Sequence, residues 1–300
     1  MTQPEDISTR LAESRQHFLA LVADLRPELH RYCARMTGSI ADGEDIVQET
    51  LARAYYALPE HPEMPELRPW LFRIAHNRAL DFLRRYEHRM GEPLGASPDR
   101  AGGDSVDPED ALAREHALHA AVSRFIELAP AQRSCVILKD VLGHSLDEIA
   151  TLLELSVPAV KAALHRGRVR LRDELANVAE IAPQPASPVV ARYAALFNAR
   201  DWDGVRALLA DDVRLDLVQR SQRSGRRDVG VYFTNYDRFS DWQLRPAWLE
   251  GREVLAVYRN PGDTRPGYFI ELTLHDERIA AIRDFRYVPY IAGEAVFAFG

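Results

Sequence analysis

The sequence has only two cysteines, no long apolar run and no excess of positive charge. Cys33 and Cys135 lie far apart in apolar, helical surroundings, so we expect two buried thiols rather than a disulfide framework or a zinc site. No apolar stretch is long enough to cross a bilayer, and the polar, acidic N-terminus is unlike a signal peptide. The sequence therefore predicts a cytoplasmic protein with no membrane anchor, no bound metal and no cofactor.

The formal net charge is −7 over 300 residues, which disfavours a protein held on nucleic acid mainly by phosphate contacts. Positive charge is concentrated in residues 145–172, which predict a helix, a tight turn and a second helix. Ser145 and Glu148 have the spacing of a capping box. Ser156, followed by Pro158, is a favourable start for the second helix. A cationic second helix is typical of a helix-turn-helix that enters the major groove.

The outward face of this second helix carries the residues that we expect to contact DNA. Side chains near its N-terminus are candidates for base edges or nearby phosphates, and those further along are candidates for the DNA backbone. The first set is Lys161, His165 and Arg166, and the second set is Arg168, Arg170 and Arg172. An ordinary solvated basic face is the alternative interpretation.

Composition divides the chain into three folded parts and two linkers. Apolar residues recur at helical spacing from 14 to 90 and again from 109 to 180. The segments 91–108 and 181–188 predict a flexible linker and a stiffer, Pro-rich linker. From 189 to 300, two short helices precede strand-like runs of alternating polarity, which predicts an α+β cone. The predicted strands are Val213–Val218, Val229–Tyr232, Trp242–Leu249, Val254–Tyr258, Tyr268–Leu274 and Ile279–Val288.

Three segments resemble bacterial RNA polymerase sigma factors of the extracytoplasmic-function (ECF) group. Residues 42–58 (DGEDIVQETLARAYYAL) resemble the acidic segment of these factors, and 70–85 (WLFRIAHNRALDFLRR) resemble the helix used on the promoter −10 element. Residues 128–150, followed by the helix-turn-helix, resemble the −35-binding region. All three occur in the order found in the family. Gly43, where alanine is usual, and His76 are mild departures.

This resemblance implies two further binding surfaces. In the family, the acidic helix docks on core RNA polymerase, where a rim of charge sets orientation and association rate more than affinity. The corresponding residues are Asp42, Asp45, Gln48 and Glu49. The −10 helix presents a polar face composed of Arg73, Asn77, Arg78, Asp81 and Arg84. The loop before that helix contributes no Phe, Tyr or Trp, so the sequence identifies no pocket for an unstacked base.

The last part of the chain resembles the SnoaL-like cone of the nuclear-transport-factor-two-like superfamily, beginning with residues 188–216. Such cones host enzymes, ligand binders and dimerisation modules, so the fold does not determine the function. The polar residues expected to face its cavity are Asp216, Tyr232, Tyr236, His275 and Asp284. They do not form a complete acid/base pair that sequence can place in one pocket. In sigma factors that carry this domain, the resemblance implies regulation in cis.

The sequence thus predicts two all-α sigma domains, a helical bundle and a helix-turn-helix, followed by an α+β cone-shaped SnoaL-like domain. The expected partners are core RNA polymerase and promoter DNA, with no enzymatic activity. The sequence does not decide whether the cone binds a small-molecule ligand or whether a separate anti-sigma protein is a further partner. Two rival hypotheses are a helix-turn-helix transcriptional regulator with a ligand-binding cone and a small-molecule enzyme in the cone. The acidic helix disfavours the first, and the second requires a closed cavity with a paired acid and base.

Overall fold

A computed structural model of the chain describes residues 16–61, 65–90, 116–118, 120–176, 184–234, 236, 242–260 and 262–299. Contacts divide the chain into two compact units, 1–178 and 179–300. The first unit is helical and the second combines helices with one sheet, so the predicted fold class is confirmed. The linker predicted at 91–108 lies outside the described residues. In the part of the chain that is described, no helix has the length and apolar character needed to span a membrane.

The first lobe of the helical unit covers residues 16–90. Its helices are α1 (Arg26–Thr37), α2 (Ile40–Ala57) and α3 (Leu67–Met90). α1 ends at Gly38, whose positive φ of 74° is a conformation that glycine adopts at little steric cost. Ser39 is the N-cap of α2, and its side chain accepts a hydrogen bond from the amide of Asp42. These two caps produce the sharp turn that packs α2 against α1.

The crossing of α1 and α2 is unusually close at Gly43. A Cβ atom added there would lie 2.4 Å from the Cα of Ala34, closer than any real contact of that type. Beside the crossing, the buried Arg26 guanidinium forms an ion pair with the buried Glu44 carboxylate. Glycine is therefore a packing requirement at this position, which accounts for its departure from the alanine usual in the family.

The second lobe of the helical unit covers residues 116–176. Its helices are α4 (Pro130–Val136), α5 (Leu146–Leu153) and α6 (Val157–Ala176), with a 3-10 helix at Val122–Glu127 and a π-helical segment at Ile137–Val141. The predicted capping box of Ser145 and Glu148 is present at the start of α5. Val160, Leu164 and Leu171 form the buried face of α6, as their spacing predicts. α5 and α6 are thus a helix-turn-helix.

Both lobes contribute to one continuous hydrophobic cluster. Tyr32 and Phe72 of the first lobe and Phe125 of the second are fully buried in it. Cys33 and Cys135 are free and buried, as predicted. The two predicted helical domains therefore pack against each other within one compact unit.

The second unit is built on one seven-stranded sheet with the strand order β2-β1-β6-β5-β4-β3-β7. β1 and β6 are parallel, and the other neighbouring strands are antiparallel. Its strands are β1 (Leu209–Leu217), β2 (Ser221–Ser224), β3 (Gln243–Leu249), β4 (Arg252–Tyr258), β5 (Tyr268–His275), β6 (Arg278–Asp284) and β7 (Phe297–Phe299). Its helices are α7 (Pro188–Asn198), α8 (Trp202–Ala207), α9 (Arg226–Thr234) and α10 (Tyr290–Glu294).

Two sequence predictions in this unit are wrong. The segment Val229–Tyr232, predicted as a strand, belongs to helix α9. Its apparent alternation fails because Val231 is exposed while the residues on either side are buried. The strand predicted at Ile279–Val288 ends at Asp284, where the chain enters a turn. The stiff linker predicted at 181–188 also overlaps a helix, because Pro188 is the first residue of α7.

Candidate nucleic-acid interface

Helix α6 presents a solvent-facing basic surface in its N-terminal half. Lys161 and His165 are exposed one turn apart, and Arg166 beside them is half-buried. The first residues of a recognition helix are the ones that reach base edges in a helix-turn-helix. Further along, Arg172 is exposed and Arg170 pairs with Glu174 at 2.9 Å. Lys161, His165 and Arg172 are exposed along one stripe of α6, whereas Arg166 and Arg170 lie on another side of the helix, which turns by about 100° per residue. The stripe of Lys161 has one exception to this exposure.

The exception is Arg168, which faces the protein. Its guanidinium Nε lies 2.9 Å from Asp140 Oδ2, and its Nη2 lies 2.7 Å from Asp140 Oδ1. The Asp140 side chain is 2% exposed and belongs to the π-helical segment Ile137–Val141. A bidentate pair of this kind fixes geometry as well as charge. Arg168 therefore anchors the recognition helix, and sequence missed this role because the spacing of α6 alone carries no sign of Asp140.

Helix α3 carries the predicted −10 face. Arg73, Asn77 and Arg84 are exposed. Asp81 receives hydrogen bonds from Arg78, on the same helix, and from Arg84 at 3.3 Å. These pairs leave Asn77 as the exposed amide of the stripe, with both a donor and an acceptor available to a base edge.

Two members of this stripe also bind protein groups. Arg78 donates to Glu49 of α2 at 3.2 Å. Arg73 reaches the second lobe, where it donates to Glu154 Oε1 and to the Thr151 carbonyl, both at 3.3 Å. Near the start of α3, the rings of His61 and Trp70 meet edge to face at 5.1 Å. The side chains of the −10 face are thus partly engaged within the helical unit.

The acidic face of α2 extends further than the sequence predicts. Asp45 is exposed, while Asp42, Gln48 and Glu49 are half-buried. Tyr56 lies at positions i+11 and i+7 from Asp45 and Glu49, on the same helical face, and its side chain is 76% exposed. Sequence reasoning missed Tyr56 because an apolar residue at the end of a helix is ordinarily assigned to the core. The spacing from Asp45 is the signal that could have identified it.

In the cone, three of the five predicted cavity residues meet. The buried Asp284 carboxylate accepts hydrogen bonds from Tyr232 and from Tyr236, the latter at 2.9 Å. Tyr236 and Tyr268 hydroxyls lie 3.1 Å apart. Burial raises the pKa of Asp284, against the lowering effect of these hydrogen bonds. Arg286 closes this cluster by lying over the rings of Tyr236 and Trp242.

The other two predicted cavity residues lie elsewhere. The side chain of His275, at the end of β5, is 78% exposed. Asp216 faces Arg283 across the β1–β6 pair, on the sheet face opposite to Asp284, because successive strand residues alternate. That face forms an open groove of about 820 Å³, lined by charged side chains from β1, β2, α9 and β6. The five residues therefore do not form one site.

Similarities to known proteins cover nearly the whole chain. Sigma-70 region 2 matches residues 21–89, Sigma-70 region 4 matches residues 121–171, and the SnoaL-like domain matches residues 190–282. The ECF RNA polymerase sigma factor SigG of Mycobacterium tuberculosis is 35% identical, over 93% of this chain and 82% of the relative. SigJ of that organism is 34% identical, over 63% of this chain and 61% of the relative. The crystal structure of SigJ aligns with 26% identity, 89% and 95% coverage and a TM-score of 0.35.

Proposed function

Since this chain belongs to the ECF RNA polymerase sigma factors, we propose that three exposed helix faces of its helical unit divide the work of promoter recognition. It is a transcription initiation factor and not an enzyme, and its partners are core RNA polymerase and promoter DNA. Domain limits of 14–90 for region two and 109–180 for region four are part of the proposal. The observation that carries it is the exposed basic N-terminal half of α6, set in a capped helix-turn-helix.

We assign the −35 element to α6. Lys161, His165 and Arg166 contact base edges or adjacent phosphates, while Arg170 and Arg172 hold the DNA backbone. Their order along the helix follows the general geometry of a recognition helix, whose N-terminus enters the groove first. Arg168 keeps α6 at a fixed angle to the rest of the lobe through Asp140.

We assign the −10 element to α3, with Asn77 at the centre of its reading face. An amide makes paired donor and acceptor contacts to adenine. Asn77→Ala should therefore reduce discrimination between intact and mutated −10 elements while leaving polymerase binding unchanged. Run-off transcription on matched templates measures this, and Arg85→Ala, an exposed position on the same helix, is the control. Equal discrimination by wild type and Asn77→Ala would refute the assignment.

We assign core polymerase binding to the exposed face of α2. The acidic residues steer docking, and Tyr56 supplies the apolar contact area typical of interface hot spots. Replacing Asp45 and Glu49 together with lysine should weaken polymerase binding about tenfold or more, roughly 1.4 kcal/mol per factor of ten. Tyr56→Ala should weaken it similarly.

The matched controls for this experiment lie away from α2. Replacing Asp203 and Asp211 together with lysine makes the same charge change at two exposed positions of the cone, and Tyr86→Ala removes an exposed ring from α3. A binding titration with core polymerase compares all four variants. Undiminished binding by the Asp45/Glu49 variant would show that the acidic face is only a solvated surface.

The C-terminal SnoaL-like domain is proposed to regulate these contacts in cis, and the protein to act in the cytoplasm. What supports a non-catalytic role is the state of Asp284, whose described neighbours are tyrosine hydroxyls and the Arg286 amide. Asp284 and the three tyrosines around it are each 3% exposed or less, so the protein covers the carboxylate that a catalytic acid or base would have to present to a substrate. The cluster is a hydrogen-bonded core rather than an open cavity.

A further inference from the structure

One edge of the sheet in the second unit carries a cluster of arginines that the proposed promoter contacts do not use. Between residues 214 and 227 the chain has five arginines and one aspartate, a net charge of +4, although the whole chain has a net charge of −7. These residues include the second half of β1, the edge strand β2 and the start of α9. The segment 214–227 is called the arginine hairpin below.

Two of the five arginines stabilise the fold of the hairpin. Arg226 donates to the Leu209 carbonyl and pairs with Asp211 at 3.1 Å. The guanidinium of Arg220 lies over the ring of Tyr287, 5.2 Å from its centre. These contacts fix the hairpin from within the second unit.

The other three arginines are available to a partner. Arg214, Arg223 and Arg227 are exposed, and none of them has an ion pair or a hydrogen bond to another residue that the structure describes. The neighbouring Asp216 carboxylate is engaged by Arg283, whose Nε lies 3.7 Å away. Like charges that the fold does not compensate repel one another. A partner that supplies negative charge relieves this repulsion.

The surface around these arginines suits a phosphate backbone. Arg214 and Arg223 line the same open groove. All four residues of β2, Ser221–Ser224, are exposed and polar, and as the edge strand β2 also presents backbone N–H groups. Arginine, serine and glutamine side chains and backbone N–H groups are the usual ligands of DNA phosphates. Protein interfaces are instead centred on aromatic and apolar side chains, whereas every exposed residue of the hairpin is polar or charged.

Chain connectivity keeps the arginine hairpin within reach of DNA. Helix α6, assigned to the −35 element, ends at Ala176, and the first helix of the second unit begins 12 positions later at Pro188. A chain of this length spans at most about 43 Å, little more than one turn of DNA at about 35 Å. A surface tethered over so short a distance has an effective concentration on the order of millimolar. A few phosphate contacts then suffice for binding.

We propose that the arginine hairpin is a second DNA contact, which binds the phosphate backbone beside the −35 element without reading its sequence. Arg214, Arg223 and Arg227 supply the charge, and β2 supplies neutral hydrogen-bond donors. The contact adds the same affinity to every promoter, because phosphates carry no sequence information. This inference rests on the proposed assignment of α6 to the −35 element.

Neutralising the three available arginines tests the proposal. The variant carries Arg214→Gln, Arg223→Gln and Arg227→Gln, and promoter binding by assembled holoenzyme is titrated between about 50 and 200 mM salt. Each lost phosphate contact releases about one counterion fewer, so the slope of log affinity against log salt should become shallower by about 2 to 3. An unchanged slope would overturn the proposal.

A matched control separates this effect from a general change in charge. It replaces three exposed arginines elsewhere in the cone with glutamine, Arg192, Arg245 and Arg265. The control should keep the wild-type slope, and a change equal to that of the hairpin variant would contradict a local contact. Both variants should also bind core polymerase normally without DNA. If the hairpin variant alone loses polymerase binding, the hairpin docks on protein and the proposal is wrong.

Photocrosslinking locates the contact without removing any arginine. Because both native cysteines are buried, a photoreactive label can be attached selectively to Ser221→Cys in β2. The control position is Asp276→Cys, which is 90% exposed in the turn between β5 and β6. In the holoenzyme–promoter complex, the label at 221 should crosslink to DNA beside the −35 element at least tenfold more than the label at 276. Equal or absent crosslinking from position 221 would overturn the proposal.

A failure of the −35 assignment gives a different pattern. Lys161→Ala tests that assignment by its discrimination between intact and mutated −35 elements, whereas the hairpin variant should discriminate as well as the wild type does. If Lys161→Ala loses discrimination while the hairpin variant keeps the wild-type salt slope, only the hairpin proposal is wrong. If Lys161→Ala discriminates normally while the hairpin variant has a shallower slope, the assignment of α6 is wrong and the hairpin still binds DNA.

Discussion

At the scale of single residues, basic side chains on the same helix have different roles, and their spacing in the sequence does not distinguish these roles. Arg168 and Lys161 lie on the same stripe of α6, two turns apart. Arg168 is bound to Asp140, whose carboxylate is buried, whereas Lys161 is exposed. Removing the partner of a buried charge destabilises the fold, because the remaining charge is then unpaired in the interior. Removing an exposed charged side chain changes stability little.

Arg168→Ala should therefore lower the free energy of unfolding by about 3 kcal/mol, because it leaves the buried Asp140 carboxylate unpaired. Lys161→Ala should change stability by less than about 0.5 kcal/mol. It should instead weaken −35 recognition by about 1–3 kcal/mol. Urea denaturation and competition binding of holoenzyme to −35 variants measure the two effects. If Arg168→Ala is as stable as the wild type but binds DNA more weakly, Arg168 contacts DNA and does not anchor the helix.

Asp284 makes the stability of the cone depend on pH. Burial raises its pKa in the folded state, so folding favours the protonated acid. The stabilising contribution is complete below the unfolded pKa of about 3.9. It is lost as the pH rises through the raised folded value. Asp284→Asn should remove this dependence while keeping a similar shape.

Tryptophan fluorescence is a suitable probe of this unfolding, since Trp202, Trp242 and Trp248 belong to the second unit. The wild type should lose stability relative to Asp284→Asn as the pH rises above the unfolded pKa of about 3.9 and through the raised folded pKa. A constant difference between the two proteins on both sides of the unfolded pKa would show that folding leaves the pKa of Asp284 unchanged.

At the scale of secondary-structure elements, the α1–α2 crossing depends on the absence of a side chain at Gly43. Gly43→Ala should destabilise the helical unit by about 1–3 kcal/mol, the usual range for overpacking. Ala34→Gly should not rescue it, because the nearest atoms to the added Cβ are the backbone Cα and N of residue 34. Thermal unfolding of the single and double variants measures both effects. Full rescue would mean that the Ala34 methyl group, rather than its backbone, limits the approach.

Local signals explain which elements the sequence predicts correctly. The α5–α6 pair has its capping box, its turn residues and its apolar stripe within one short stretch, and all three are found in the structure. By contrast, β2 is four exposed polar residues and β7 is three residues long. Neither contains enough alternation to be recognised. The strand prediction at Val229–Tyr232 is wrong because valines at alternate positions over four residues have the pattern of a strand, although the segment belongs to α9.

At the scale of the whole molecule, the C-terminal SnoaL-like domain is proposed to bias the helical unit. A protein that ends after Ala182 should therefore initiate transcription at a rate several-fold different from the full chain. Coupling between sites is typically about 1–3 kcal/mol. Run-off transcription over a range of polymerase concentrations measures the difference, and circular dichroism verifies that the helical unit is intact. Equal transcript yields from both proteins would show that the domain does not regulate transcription initiation.

The sequence predicts the parts of this molecule better than their packing. Each helical domain could be identified from motifs, because the residues of a motif are neighbours in the chain. Tyr32 and Ser134 are 102 positions apart, and no local pattern links them. Asp284 and Tyr232 are likewise far apart in the chain, and no local pattern shows that they meet in a buried cluster. Nor does the sequence show that Asp216 lies on the opposite face of the sheet. Contacts of this separation depend on the complete fold.

The pair that Arg168 forms with the buried Asp140 has a consequence for how this protein can diverge. Because the pair fixes the angle of α6 from inside the lobe, the exposed side chains at 161 and 165 can be exchanged without changing the fold of the lobe. A duplicated copy can therefore acquire a new promoter preference through a few surface substitutions, provided that Arg168 and Asp140 are both kept.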